Sequence, residues 1–214
     1  MSDAYRQALA AGIARQDLAL DDATLDRLLA YHALLVKWNK AYNLTSVRDP
    51  GEMIGRHLLD SLSILSYVGE DDLLDVGTGP GLPGMVLALV RPGQSVTLLD
   101  SNGKKTRFLI QVKMELGVDN AEVVHNRLEF WQPGRSYAQI SSRAFATLAD
   151  MVAKSAHLLA PGGRFLAMKG QFPQDEIDDL PDGFHVDRVQ VLTVPGTAGA
   201  RHLVELSAGS SQGL

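Results

Sequence analysis

The sequence predicts an α/β fold: a doubly wound, seven-stranded, mostly parallel sheet preceded by an N-terminal helical extension. Three observations carry this expectation. From about residue 70 onward, short apolar runs alternate with helical stretches, the pattern of a parallel sheet covered on both faces. The connections between them are short, as right-handed crossovers allow. The first apolar run, Leu73–Val76, leads into three alternating glycines, a turn that lets backbone N–H groups approach a ligand where a Cβ would intrude.

Composition narrows the class. A chain of 214 residues suits one α/β domain with a small extension. With 45% hydrophobic and 21% charged residues it buries a core without staples. It contains no cysteine, which excludes disulfides, thiolate metal sites and cysteine nucleophiles, and no metal is expected. No apolar run reaches the roughly 20 residues that cross a bilayer. The N-terminus has no secretory pattern, so a cytoplasmic location is expected. The net charge of −5 argues against a body coated in basic surface but leaves room for a local basic patch.

The elements follow in order. Residues 1–69 read as a helical extension, 70–208 as the α/β domain and 209–214 as a frayed tail. Residues 22–40 place Leu25, Leu28, Leu29, Leu35 and Val36 at helical spacing, with Asp21 or Asp22 available as the cap. A second helix is expected from Asp49-Pro50-Gly51-Glu52 to about Ser66, with Arg56 and Asp60 on its outer face. His57 and Asp60 read as a helix-surface pair rather than an acid–base couple. Strands are expected at Leu73–Val76, Ser95–Leu99, Val123–His125, Ala138–Ser141 and Phe165–Met168. Helices are expected at Gly84–Val90, Lys104–Leu116 and Leu148–Leu159, the last closed by Pro161-Gly162-Gly163. Val186–Val194 and His202–Ser207 read as a closing antiparallel pair.

The chemistry gathers after the strands. Dinucleotide turns use GxGxxG, but Gly77, Gly79 and Gly81 are spaced GxGxG, and Leu82 stands where the third glycine would fall. Asp75 precedes the first glycine by two residues. Together these point to S-adenosylmethionine, whose cationic end favours a nearby carboxylate. The bland alternative is a tight β–α turn in a flavodoxin-like protein. Asp100 ends the second strand, where an acid accepts hydrogen bonds from ribose hydroxyls or caps the next helix. After the third strand, Leu128 suits an adenine ring, and Glu129 is either part of that site or a solvated loop acid. Arg143, after the fourth strand, sits at the mouth of such a site, to pair with a cofactor carboxylate, a substrate phosphate or a structural acid.

Lys37, Lys40, Arg48, Arg56, Lys104, Lys105, Arg107, Lys169 and Arg201 are candidate RNA-binding residues if they share the cofactor face, and ordinary solvated side chains if they do not. No Gly-x-Ser-x-Gly and no Asn-Pro-Pro-Tyr occurs. The second absence argues against methylation of an exocyclic amine.

Several segments together resemble the bacterial GidB/RsmG family: Lys37-Trp38-Asn39-Lys40-Ala41-Tyr42-Asn43-Leu44-Thr45-Ser46, Arg56-His57-Leu58-Leu59-Asp60-Ser61, the run from Asp75 to Gly84, Leu98–Ser101, Ser142–Ala146, Lys169-Gly170 and Arg201-His202-Leu203. The resemblance spans residues 20–206. It implies a Rossmann-like class I methyltransferase that moves the methyl of S-adenosylmethionine to N7 of one guanine in 16S rRNA, near the decoding site. It further implies cofactor contacts at Gly77, Leu82, Leu128, Glu129 and Arg143, and a partner that is the small ribosomal subunit or an assembly intermediate, met as a monomer. Ser101-Asn102-Gly103 and a tail without basic residues depart from the family pattern. No catalytic general base is expected, because guanine N7 carries a free in-plane lone pair. A small-molecule methyltransferase, a non-catalytic ribosome-assembly factor and an NAD-dependent oxidoreductase are the competing readings.

Overall fold

A computed structural model of the chain describes residues 3–143, 145 and 147–209. Ala144 and Ala146 of the strand-four exit, and residues 210–214 of the expected frayed tail, lie outside the described residues.

The extension opens with helix α1 (Asp3–Arg15), followed by α2 (Asp22–Tyr42). Of the two candidate caps, Asp21 is the one used: its carboxylate accepts the N–H of Thr24 at 2.8 Å. The helix ends at Asn43, which takes the left-handed conformation at φ 54°. Asp49 caps the next helix by accepting the N–H of Glu52 at 2.8 Å. That helix is not one regular rod. It runs as α3 (Pro50–Met53), a π-helical stretch (Ile54–Leu59) and α4 (Asp60–Leu62).

The sheet comprises β1 (Leu73–Val76), β2 (Val96–Asp100), β3 (Ala121–His125), β4 (Tyr137–Arg143), β5 (Leu159–Lys169), β6 (Phe184–Val191) and β7 (His202–Ala208). Their order is β3-β2-β1-β4-β5-β7-β6. The first five strands are parallel, and β7 runs antiparallel between β5 and β6. Every residue of β1 and β2 is buried, which explains their continuous apolar runs. Strand order reverses between β1 and β4, so the carboxyl ends of these strands part and leave a crevice.

Helices α2, α5 (Gly84–Val90) and α6 (Gly103–Leu116) cover one face, and α7 (Leu148–Ser155) with α8 (Gln174–Asp178) the other. Leu9, Leu28 and Leu35 of the extension join Leu87 and Phe108 of the sheet-covering helices in one apolar cluster. The extension therefore shares the core of the α/β domain. Several boundaries differ from expectation, β6 among them at Phe184–Val191 rather than Val186–Val194, and the most informative follows α7. Helix α7 stops at Ser155, and β5 already begins at Leu159, where it pairs with Tyr137. The pairing with β4 overrides the breaker residues: the register shifts between Tyr137 and Gln139, and Pro161 and Gly162 stay exposed beside that irregularity.

Candidate functional site

Two cavities open at the carboxyl ends of the strands. The first, about 450 Å³, is lined by Gly77, Leu99, Asp100, Ser101, Lys105, Asn126, Arg127, Leu128, Glu129, Phe145 and Lys154. The second, about 560 Å³, is lined by Thr45, Ser46, Val47, Arg56, His57, Asp60, Arg143, Phe145, Met168, Lys169, Gly170, Glu176, Leu192, Arg201 and His202. Phe145 borders both, so the two meet at its side chain.

The glycine turn reaches the first cavity at Gly77. Gly77, Gly79 and Gly81 all have positive φ, at 64°, 61° and 102°. Their surroundings differ. A Cβ at Gly77 would meet nothing within 4 Å, so this glycine faces open space. At Gly81 it would fall 2.5 Å from Cβ of Met85, and at Gly84 it would fall 2.7 Å from Cβ of Asp75. The later glycines are packing positions.

Asp75 holds the turn together. Its Oδ2 accepts the Thr78 hydroxyl at 2.6 Å and the Gly84 N–H at 2.8 Å, and its Oδ1 accepts the Ser141 hydroxyl at 2.8 Å. The side chain is wholly buried, and burial pushes its pKa up to about 6 against the pull of those three donors. Both oxygens are engaged inside the fold, Oδ2 by the turn and Oδ1 by Ser141 of β4. The side chain of Leu82 belongs to the apolar core, which leaves its backbone for the turn. From the extension, Tyr31 donates its hydroxyl to the Pro80 carbonyl at 2.8 Å and so fixes the turn from outside.

Asp100 lines the first cavity. Its Oδ2 accepts the Gly79 N–H and its Oδ1 the Asn102 N–H, each at 2.8 Å. Each oxygen keeps a lone pair for a ligand. Gly77, Asp100, Leu128 and Glu129 thus come together as expected, with Lys105 beside them. Leu99, Asn126 and Phe145, neighbours of the expected positions, join them, and Lys154 does so without a sequence signal of its own.

Ion pairs organise the second cavity. Arg143 donates to Oδ2 of Asp60 and to the Arg56 carbonyl, both at 2.9 Å. Arg201 places Nε 3.3 Å from Oδ1 of Asp60 without hydrogen-bond alignment. Lys169 pairs with Glu176 at 2.7 Å. Asp60 and His57 are both buried, which corrects the expected surface pair. The π-helical stretch is the cause. In an α-helix Arg56 and Asp60 would share a face. Here the Asp60 N–H reaches back five residues to the Gly55 carbonyl, and the wider turn rotates Asp60 inward while Arg56 stays exposed.

His57 bonds through Nδ1 to the Arg56 carbonyl and through Nε2 to the Thr45 hydroxyl, both at 2.9 Å. Burial, helped by the nearby Arg143 cation, pulls its pKa down to about 4. Asn39 shapes the adjoining loop by donating to the Val47 carbonyl and accepting the Thr45 N–H.

Arg56, Arg143, Lys169 and Arg201 gather here. Lys37, Lys40, Arg48, Lys104 and Arg107 are exposed and border neither cavity. Trp38 packs on Phe108 and Tyr42, with ring centroids 5.7 and 5.1 Å apart, so half of the aromatic character of that segment is core. Among the described residues no three metal-ligating side chains converge, and no helix is long and apolar enough to cross a membrane.

Known proteins resemble this chain closely. A family model described as "rRNA small subunit methyltransferase G", GidB, matches residues 24–204. The ribosomal RNA small subunit methyltransferase G of Marinobacter nauticus is 58% identical over 193 residues, 90% of each chain. Its counterpart in Stutzerimonas stutzeri is 52% identical over 96% of this chain and 97% of its own. Among solved structures, TrmN from Thermus thermophilus superposes with a TM-score of 0.55 at 17% identity, over 72% of this chain and 53% of its own. The glycopeptide N-methyltransferase MtfA does so with a TM-score of 0.59 at 14% identity, over 72% and 96%. At these identities the structural likeness concerns the fold alone.

Proposed function

The chain belongs to the GidB family of small-subunit rRNA methyltransferases, and from that premise we propose that it methylates N7 of one guanine in 16S rRNA, near the decoding site. The observation that carries the proposal is the meeting of two unlike cavities at Phe145, one suited to a nucleoside and the other rimmed by arginines.

S-adenosylmethionine is the cofactor. The residues of the first cavity fit it. Asp100 offers carboxylate lone pairs to ribose hydroxyls, Leu99 and Leu128 offer apolar surface to a purine, and Gly77 leaves space that a Cβ would fill. The wider cofactor set is Asp75, Gly77, Gly79, Gly81, Leu82, Asp100, Leu128, Glu129 and Arg143. Within it Asp75, Gly81 and Leu82 act through the shape of the turn. Arg143, in the second cavity, is placed for a carboxylate or a phosphate.

When bound, the cofactor supplies an electrophilic methyl group on a sulfonium. The protein's share is placement. Guanine N7 has an in-plane lone pair, so no proton has to leave before attack and no general base is required. Holding the base edge-on across the Phe145 junction supplies proximity and orientation. His57, its pKa held near 4, stays neutral at physiological pH and keeps Thr45 in position rather than moving a proton. We take residues 1–69 as the extension that completes the substrate side and 70–208 as the methyltransferase domain. The enzyme acts as a cytoplasmic monomer on the small subunit or an assembly intermediate.

Calorimetry with S-adenosylmethionine, its demethylated product and NAD tests the cofactor, and labelled-methyl transfer to unmodified small subunits tests the reaction. Binding of the first two ligands and N7-methylguanosine as product are expected. Binding of NAD alone would sink the proposal.

A further inference from the structure

The second cavity contains a carboxylate only half used. Asp60 is buried, and its Oδ2 accepts from Arg143 at 2.9 Å. Its Oδ1 has no hydrogen-bond partner at all. Arg201 covers that oxygen at 3.3 Å with poor alignment, from the start of β7 next to the exposed turn around Gly199. Buried polar atoms are nearly always satisfied, and one that is not calls for an explanation. The π-helical stretch, itself an irregularity, is what turns this acid toward the cavity.

A carboxylate recognises a particular base edge. It only accepts, so it suits an edge carrying adjacent donors. Guanine alone among the bases has two neighbouring N–H donors, at N1 and N2, on its Watson–Crick edge. Adenine and cytosine pair a donor with an acceptor there, and uracil flanks one donor with two carbonyls. Bases splayed out of RNA are commonly read on that edge. The same edge lies across the purine from N7. A guanine held by it in the second cavity turns N7 away from Asp60, toward the junction that Phe145 shares with the cofactor cavity. Arg201 is exposed enough, at 27%, to leave Oδ1 for a phosphate of the incoming strand.

We propose that Asp60 is the specificity-determining residue of this enzyme, accepting hydrogen bonds from N1–H and the N2 amine of the target guanine once Arg201 has moved to RNA. The inference rests on the guanine-N7 reading above and adds the residue that enforces it.

The test compares small subunits carrying guanine or hypoxanthine at the target position. Hypoxanthine keeps N7 and N1–H but lacks the N2 amine. The unaltered enzyme is expected to favour guanine by about tenfold or more in kcat/KM, the scale of a bidentate base contact. Asp60→Asn is expected to lose most of that preference while its calorimetric Kd for S-adenosylmethionine stays within about threefold of the unaltered value. A merely structural role would lower both rates together and leave the ratio intact. Equal rates of the unaltered enzyme on the two bases would overturn the inference without any variant having to fold. So would an unchanged preference in Asp60→Asn, or a loss of cofactor affinity showing that Asp60 serves the cofactor instead. Absence of N7-methylguanosine from the guanine substrate would overturn the proposed function itself, and this inference with it.

Discussion

The two cavities that meet at Phe145 are built by different means. The cavity proposed for the cofactor rests against a turn held by hydrogen bonds to its backbone. One short turn, from Asp75 to Gly84, meets it at Gly77, and Asp75, Tyr31 and Asp100 hold that turn by hydrogen bonds of 2.6–2.8 Å. The cavity proposed for the substrate is held instead by ion pairs between side chains, around Asp60 and between Lys169 and Glu176. A hydrogen-bonded turn tolerates little change in shape. A rim of ion pairs can exchange its partners for a ligand's charges. The difference suits a small cofactor that is always the same and a large RNA that must dock and leave.

The glycines give the sharpest way to break the comparison. Gly84→Ala should destabilise the fold by about 3 kcal/mol, since its Cβ would press on Asp75 and on Leu98 at 2.4 Å and would displace a buried hydrogen bond. Chemical denaturation measures it. Gly77→Ala should cost only about 1 kcal/mol, from its positive φ, yet lose most of its cofactor affinity by calorimetry. Equal stabilities for the two variants would contradict the division of the turn into a packing end and a ligand end.

The next effect is in pH. Asp75 is raised from 3.8 to about 6, so between these values the folded state holds a proton that the unfolded chain has released. Its contribution makes stability fall as pH rises from about 4 to about 6. His57 is lowered from 6.5 to about 4, so in nearly the same window the unfolded chain binds the extra proton. Its contribution makes stability rise with pH. Each amounts to roughly 3 kcal/mol, and they oppose one another. Denaturation midpoints between pH 4 and pH 6.5 should therefore slope downward with pH in His57→Gln and upward in Asp75→Asn. Parallel profiles in the two variants would refute the opposition.

Smaller effects belong to the rim. Arg201→Ala should raise KM for the ribosomal substrate about tenfold and reduce its salt dependence by about one phosphate contact, leaving cofactor Kd unchanged. Lys37→Ala and Lys104→Ala, which border neither cavity, should change stability by less than about 0.5 kcal/mol. Their effect on KM should be smaller than that of Arg201→Ala, and steady-state kinetics at two salt concentrations ranks all three.

The same contrast explains what the sequence made legible. The glycine turn lies within one stretch of chain, and its spacing, then Asp100 and the strand that ends there, can be read in order. The second cavity could be read only in pieces, as basic residues and as the separate segments of the family resemblance, because nothing in the sequence says that these segments meet. Its key acid, Asp60, was expected on a surface because helical periodicity places it beside Arg56. Only the π-helical turn moves it, and no residue pattern in Ile54–Leu59 announces that turn. Asp75 and Leu82 were legible as members of the motif but not in their roles, because a spacing does not say which way a side chain points. Breaker residues misled once more at Pro161-Gly162, where pairing with β4 extends β5 beyond its apolar run.

The most direct test of the central claim is mass mapping of N7-methylguanosine in 16S rRNA from a strain lacking this chain. The account predicts that the modification is missing at one guanine near the decoding site. It should return with the unaltered chain and not with the Gly77→Ala variant, which loses most of its cofactor affinity. A modification that persists unchanged in the deletion strain would contradict the account.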